Sequence, residues 1–366
     1  MLRSHLVLGA MGAAALLLSG LTACGDSGTN TGGAGGQAPA GGVEPPGPPS
    51  DGVPGDGSGT VFGTTHIYIG TKTRSGTESG DAWKDYGYDL DGQITAGDFT
   101  KHCKPAGGAA PANVFPDGNE GRDNAFGKVL LPIIKTAAMT SVQDLEAELN
   151  NAISGGSFNI MLNITDLGTA ENYDPLNTLL LAGKEGVGTT WKAAPEFLNN
   201  PADINSSKVK FPESYLNANT WVSGSKGTLT LSIAIAGFDL DLNINSAVIS
   251  MELDAGHTTA TNGVIAGVLN TAELVDQLRS VIGAVDPSFC EGAAVEGILN
   301  QITMASDIMA DGTQDPNATC DGISIGLGFD AGVVTLDGVG MPAEPGTPPC
   351  QGTGGAGGGG GAGGAP

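Results

Sequence analysis

The sequence predicts a mainly β fold: an antiparallel β-sandwich-like domain with appended α-helices, flanked by disordered Gly/Pro-rich segments. Three observations predict it. The clearest is "GTLTLSIAIAGFDLDLNINSAVISMELDAG", Gly227 to Gly256, where apolar residues occupy alternate positions and the phase shifts by one residue at Ala236-Gly237. That shift marks a tight turn or bulge inside an antiparallel meander. Further strand-like runs, "GSFNIMLNITDL" and "ATCDGISIGLGFDAGVVTL", lie before and after it. Finally, the strands outnumber the helical stretches and do not alternate with them as βαβ units would.

In chain order, residues 1–23 read as a signal peptide: Arg3 and His5 precede an apolar run, Leu6 to Leu18, too short to span a bilayer. The run ends in Leu21-Thr22-Ala23-Cys24, which resembles the lipobox of bacterial lipoproteins. The resemblance implies that Cys24 carries the lipid and becomes the first residue, leaving a chain held stably by more than one acyl chain. Gly25, in place of Asp, implies the outer membrane of a Gram-negative envelope. Residues 24–60 hold the lipidated cysteine and a Gly-, Pro- and Ala-rich stretch with almost no large apolar residue. Such a composition buries too little surface to offset its ordering entropy, so a disordered linker is expected. The tail, 351–366, is a second such segment. A single β-rich domain, 61–350, remains.

Removing the leader takes away Arg3 and no acid, so 14 basic residues face 39 acidic ones, a net of −25. No basic stripe can neutralise phosphates, which excludes nucleic acid as a partner. The acidity favours solubility and attracts divalent cations. Besides Cys24 there are Cys103, Cys290, Cys320 and Cys350. An even number in an exported chain reads as two disulfides with three possible connectivities. Cys290 and Cys320 flank a helix-like stretch and are expected to pair, leaving Cys103 with Cys350. A zinc site built on His102-Cys103 lacks any partner spacing.

Within the domain, "NAFGKVLLPIIKTAA" (124–138) has a helix-like face interrupted by Pro132, and "SVQDLEAELNNAIS" (141–154) opens with Ser141 as N-cap and Asp144 in the first turn. Phe158, Ile160, Leu162 and Ile164 alternate as in a half-buried strand. The long meander carries Asp239, Asp241, Asn243 and Asn245 on its other face, which reads as a solvated surface. "TAELVDQLRSVIGAV" (271–285), capped by Thr271, and "EGAAVEGILNQITMASDIMADG" (291–312) show helical periodicity. An outer-membrane barrel fits the alternation but needs more strands and aromatic girdles.

No catalytic motif survives. "GISIG", Gly322 to Gly326, matches a nucleophile elbow in letters, but Ser324 is followed by a strand pattern where the elbow requires a helix. The candidate chemistry is cation binding. In "GYDLDGQITAGDF" an EF-hand alignment sets Gly92 at the sharp turn, Asp89 and Asp91 as ligands, Gln93 as a carbonyl donor and Asp98 as the closing carboxylate. The first ligand position falls on Gly87, so this loop is incomplete. A second acidic turn, "PDGNEGRDNAFG", offers Asp117, Asn119 and Asp123. The two turns together could supply the six to eight oxygens that calcium takes, although Asp, Asn and Gly favour turns without any metal.

These two stretches, with the later "CDGISIGLGFDAG", resemble uncharacterised secreted lipoproteins of myxobacteria and related bacteria. The resemblance implies a location and a shared domain but no activity, and carries no functional residue. The expectation is therefore a lipid-anchored cell-envelope protein serving as a binding or structural module, with calcium as its candidate stabilising ion and an unknown envelope or extracellular ligand. The alternative is an exported hydrolase acting on polysaccharide or peptide. Two carboxylates in a deep cleft lined by Trp191 or Trp221 would favour the hydrolase.

Overall fold

The computed structural model describes residues 42–95, 101–108, 115–137, 144–235, 238–285 and 292–342, together with the dipeptide Leu16–Leu17, which pairs with an edge strand at Ile233 and Ser232. The strands are β1 (Thr60–Tyr68), β2 (Asn159–Ile164), β3 (Tyr173–Val187), β4 (Thr190–Ala193), β5 (Val209–Asn217), β6 (Thr220–Val222), β7 (Gly227–Ile235), β8 (Phe238–Leu253), β9 (Thr259–Asn270), β10 (Gly322–Val333) and β11 (Thr335–Val339). The helices are α1 (Leu131–Ala137), α2 (Leu145–Ser154), α3 (Thr271–Val285) and α4 (Ala293–Thr303).

The mainly β class holds, but the architecture is a closed antiparallel barrel of 8 strands and not a sandwich. The ring runs β1-β2-β3-β5-β6-β8-β9-β10 in chain order, and β10 returns to pair with β1 through Phe329↔Ile67 and Gly332↔Gly63. Alternation cannot distinguish the two forms, because a sandwich and a barrel both turn one face of each strand inward; only the last strand meeting the first decides it. The remaining strands lie off the ring. β7 forms a hairpin with the long β8, and β4 pairs with β3 and with β11. The phase shift expected at Ala236-Gly237 falls on two residues outside those described, between β7 and β8, whose ends pair with Ile235 opposite Phe238. A second shift follows at Ser246, whose φ of +48° accompanies a bulge against β9.

The lumen is a packed core. Phe62, Ile160, Leu162, Ile249, Ile265 and Phe329 fill it, leaving a void of about 10 Å³. This places the apolar side chains inside, the reverse of a membrane-spanning barrel. Much of the outer wall is covered as well. Met161 and Leu181 face out from β2 and β3 and are fully buried under Trp191 and Leu198. The half-buried strand expected at Asn159–Ile164 is therefore covered on both faces, because β4 and the segment after it fold back over it. Tyr88 and Leu90, from the first acidic turn, cover Val222, Val248 and Val264 in the same way.

The helices fall close to their expected places. α3 matches residue for residue, although its first turn is capped by Asn270, whose Oδ1 accepts from the Glu273 N–H at 3.1 Å. In α2 the cap is Asp144, which accepts from the Ala147 N–H at 2.9 Å; Ser141 lies outside the described residues. A π-turn, Phe126–Leu130, runs directly into α1, so Pro132 lies inside a continuous helical segment, and the wider turn just before it marks the interruption expected there. α4 ends at Thr303, well before the Gly312 expected from periodicity.

Two expectations are corrected. The disulfide joins Cys103 to Cys320, with Cα atoms 5.0 Å apart, and not Cys290 to Cys320 or Cys103 to Cys350. Lys104 also bridges Thr319 in parallel, so the pairing follows from where the chain segments meet and not from which cysteines flank a helix. Cys24, Cys290 and Cys350 lie outside the described residues. Second, residues 42–59, expected as part of the disordered linker, form a strap along the barrel. Val53 bridges Tyr173, Gly57 N–H donates to Asp166 O at 3.0 Å, and the Tyr215 hydroxyl donates to Pro46 O at 2.6 Å. A Cβ on Gly57 would lie 1.9 Å from Leu167 O, so this glycine serves close approach.

Non-reducing peptide mapping is expected to recover Cys103 linked to Cys320. The link closes a loop with a sequence separation of 217. Its removal by Cys103→Ser is expected to cost about 3–5 kcal/mol in denaturant unfolding.

Candidate metal centre

Both long insertions of the barrel, between β1 and β2 and between β9 and β10, leave from the same end, beside the seam where β10 pairs with β1. Their turns therefore meet. Asn124, only 2% exposed, fastens the second acidic turn to β10: its Oδ1 accepts from Gly326 N–H at 3.0 Å and its Nδ2 donates to Gly326 O at 3.0 Å. The two acidic turns are stitched to each other by Asp123 N–H to Tyr88 O at 3.0 Å and Asp117 N–H to Thr95 O at 3.1 Å.

Asp89, Asp91 and Asp123 converge, each presenting a carboxylate oxygen within 4.8 Å of the others. Asp89 accepts from Gly92 N–H at 2.7 Å and Asp91 from Gln93 N–H at 2.8 Å, the local turn bonds that Asp favours. Gly92 sits at φ +76°, as the sharp-turn position of the calcium-loop alignment requires. Asp123 is 3% exposed, and its Oδ2 accepts from Leu90 N–H at 2.7 Å. Asp117 lies close behind, accepting from Thr95 N–H at 2.5 Å. Asn119 does not join them: it is exposed and donates to Asp85 Oδ1 at 2.6 Å. Asp98 lies outside the described residues. Ile94 is 54% exposed, so the short strand pairing of an EF-hand couple is not formed.

Two groups that sequence reasoning missed complete the cluster. Asp307 follows α4, in a stretch whose apolar spacing reads as continued helix. It accepts from Ser324 N–H at 2.8 Å and from the Ser324 hydroxyl at 2.5 Å. Gln314 donates to Asp91 Oδ2 at 2.7 Å while its Oε1 accepts from Cys103 N–H at 2.8 Å, linking the disulfide to the acids. The only advance signal was a third Asp/Gly-rich turn, about 200 residues away in sequence. Ser324 itself is fully buried on a strand with its hydroxyl bound to Asp307, which rules out its use as an exposed nucleophile.

Asp117, Asp123 and Asp307 line a cavity of about 20 Å³ with His102, Gln314 and the disulfide, enough for about one water or ion. Among the described residues no lysine or arginine forms an ion pair with any of the five carboxylates. Lys226 Nζ donates to Leu90 O at 2.9 Å, and Lys128 Nζ donates to Pro116 O at 3.0 Å while lying close enough to Asp117 and Asp307 to feel their charge. Burial and mutual repulsion raise the pKa values of Asp91, Asp117, Asp123 and Asp307. Burial is the largest cause throughout; Asp117 is pushed up to about 8, Asp307 to about 7, Asp123 well above the usual carboxylate range, and Asp91 upward. An all-oxygen set of hard, negative ligands suits Ca²⁺ or Mg²⁺ and not the softer metals.

No family model, curated protein or solved structure matches the chain.

In the cation-free protein these carboxyls hold protons that the unfolded chain gives up near pH 4. The native state thus binds more protons between about pH 4 and pH 8, and stability falls as pH rises through that window. Thermal melting after chelation is expected to give a higher Tm at pH 5 than at pH 8. Asp117→Asn and Asp307→Asn should each flatten that slope.

Proposed function

We propose that the protein is a lipid-anchored cell-envelope protein, tethered through Cys24, whose barrel is a binding or structural module rigidified by one hard divalent cation, taken as calcium because Asp89, Asp91 and Gly92 fall in a calcium-loop alignment. The observation that carries the cation is the convergence of Asp89, Asp91 and Asp123, backed by Asp117 and Asp307, with no lysine or arginine ion-paired to them among the described residues. Acids gathered without a cation repel one another; a divalent ion converts that repulsion into a cross-link between the two acidic turns. The ion would be held by Asp89, Asp91 and Asp123, with Asp117 and Asp307 at the adjoining cavity.

The hydrolase reading draws no support from the site. Trp191 and Trp221 are 4% and 0% exposed, the first packed from β4 against the outer wall and the second in the core, so neither lines a cleft. The cavity beside the acids, at about 20 Å³, is far below the several hundred Å³ that hold a sugar or peptide. A rigid, closed barrel with a filled lumen and a strongly acidic surface suits presentation on a tether at the outer membrane.

Calorimetric titration of calcium into the chelator-treated protein is expected to give near-stoichiometric binding and a rise in Tm. Asp89→Ala and Asp123→Ala should each abolish both; no heat at millimolar calcium would sink the cation reading. Cys24→Ala is expected to move the protein from the membrane to the soluble fraction of cells, and retention in the membrane would overturn the lipid anchor.

A further inference from the structure

The chain that would lead from the lipidated cysteine enters the folded part at the acidic cluster itself. Gly42 N–H donates to Asp89 Oδ2 at 2.5 Å. Val43 N–H donates to Glu120 O at 2.8 Å, and Asp89 N–H donates back to Val43 O at 2.9 Å. Val43 packs its side chain against the Tyr88, Leu90 and Tyr215 cluster. Beyond it, Pro46 O and Gly47 O accept from the Tyr215 hydroxyl at 2.6 Å and from Asn217 Nδ2 at 2.7 Å.

Three features make this end of the strap a part of the site and not a neighbour. Asp89 is only 2% exposed, and both of its carboxylate oxygens are committed, one to Gly92 within its own loop and one to Gly42 across the strap. Glu120, whose carbonyl receives Val43, takes a left-handed φ of +57° within the second acidic turn, so the strap bonds to both turns at once. And the fit admits no side chain: a Cβ on Gly42 would lie 2.3 Å from Glu120 O and 2.9 Å from Asp89 Cβ. The strap's first residues therefore close over the turns that bear Asp89 and Asp123.

We infer that docking of residues 42–47 and cation occupancy of the Asp89, Asp91 and Asp123 cluster are coupled, so that a divalent cation locks the strap end and shortens the tether between lipid and barrel. This rests on the cation reading above. A cation that draws the three carboxylates together fixes the Asp89 and Glu120 acceptors in the positions that Gly42 and Val43 need. Linkage then requires the reverse: a docked strap end strengthens cation binding by the same factor. With the strap docked, residues 25–41 separate the anchor from the barrel, 17 residues with a maximum span of about 60 Å. Peeling residues 42–47 frees six more and lengthens that span to about 80 Å. Tension on the tether is applied at Gly42, directly on Asp89.

The test is hydrogen exchange on the full mature protein in calcium chloride and in chelator, with calorimetric titration of calcium in parallel. Calcium is expected to slow exchange of the Val43 and Asp89 amides by about tenfold or more while leaving β2 amides unchanged. By reciprocity, Gly42→Val should weaken calcium binding about five- to tenfold, and should lower Tm more in calcium than in chelator. Val43→Asp, which expels the same segment through its side chain, should do likewise. Calcium binding with unchanged strap exchange and unchanged affinity in both variants would overturn the coupling while leaving the cation reading intact. Absence of any calcium binding would overturn both.

Discussion

The structure depends on one set of hydrogen bonds, the seam where the last barrel strand, β10, pairs with the first, β1. Without it the meander would be an open sheet with two exposed edges, and its apolar face would need another layer to cover it. With it the lumen closes on Phe62, Ile160, Leu162, Ile249, Ile265 and Phe329, and no ring strand is left with an unpaired side. The seam also fixes where function can arise. It makes β1 and β10 neighbours, and so brings the insertion that follows β1 beside the one that precedes β10.

What meets there is a concentration of negative charge that most folds avoid. Asp123 and Asp89 are almost wholly enclosed, and the pKa shifts of Asp117, Asp123 and Asp307 express the cost of holding like charges together away from water. The hydrogen bonds that position these acids come largely from backbone and amide donors, and the lysines nearby serve carbonyls. Such an arrangement fixes geometry without neutralising charge. That combination is the chemical profile of a hard-cation site, and Asp307 comes to it from a part of the chain some 180 to 220 residues away from the acids of the two turns.

The strap shows how composition misleads. "GGVEPPGPPSDGVPGDGSG" reads as coil because it has few large apolar residues to bury. In the structure its glycines and prolines do a different job: it gains its fit through backbone hydrogen bonds, and Gly42 and Gly57 approach neighbouring carbonyls closer than any side chain would permit. Burial-based reasoning counts side chains, and so misses a segment docked through its main chain.

Taken alone, the sequence determined the local elements: the alternation of β2, β8 and β10, the turn between β7 and β8, the bounds of α3, and the turn-forming character of the stretches around Asp89 and Asp117. These follow from periodicity and from residue conformational preference, which act over a few residues. Closure of the barrel, the Cys103–Cys320 link, the exclusion of Asn119, the entry of Asp307 and Gln314 and the docking of the strap were decided by tertiary structure. Each depends on which distant segments the β1–β10 seam and the covering layers bring together. Nothing in a local pattern encodes that, since contacts separated by tens to hundreds of residues are set by the packing of the whole core.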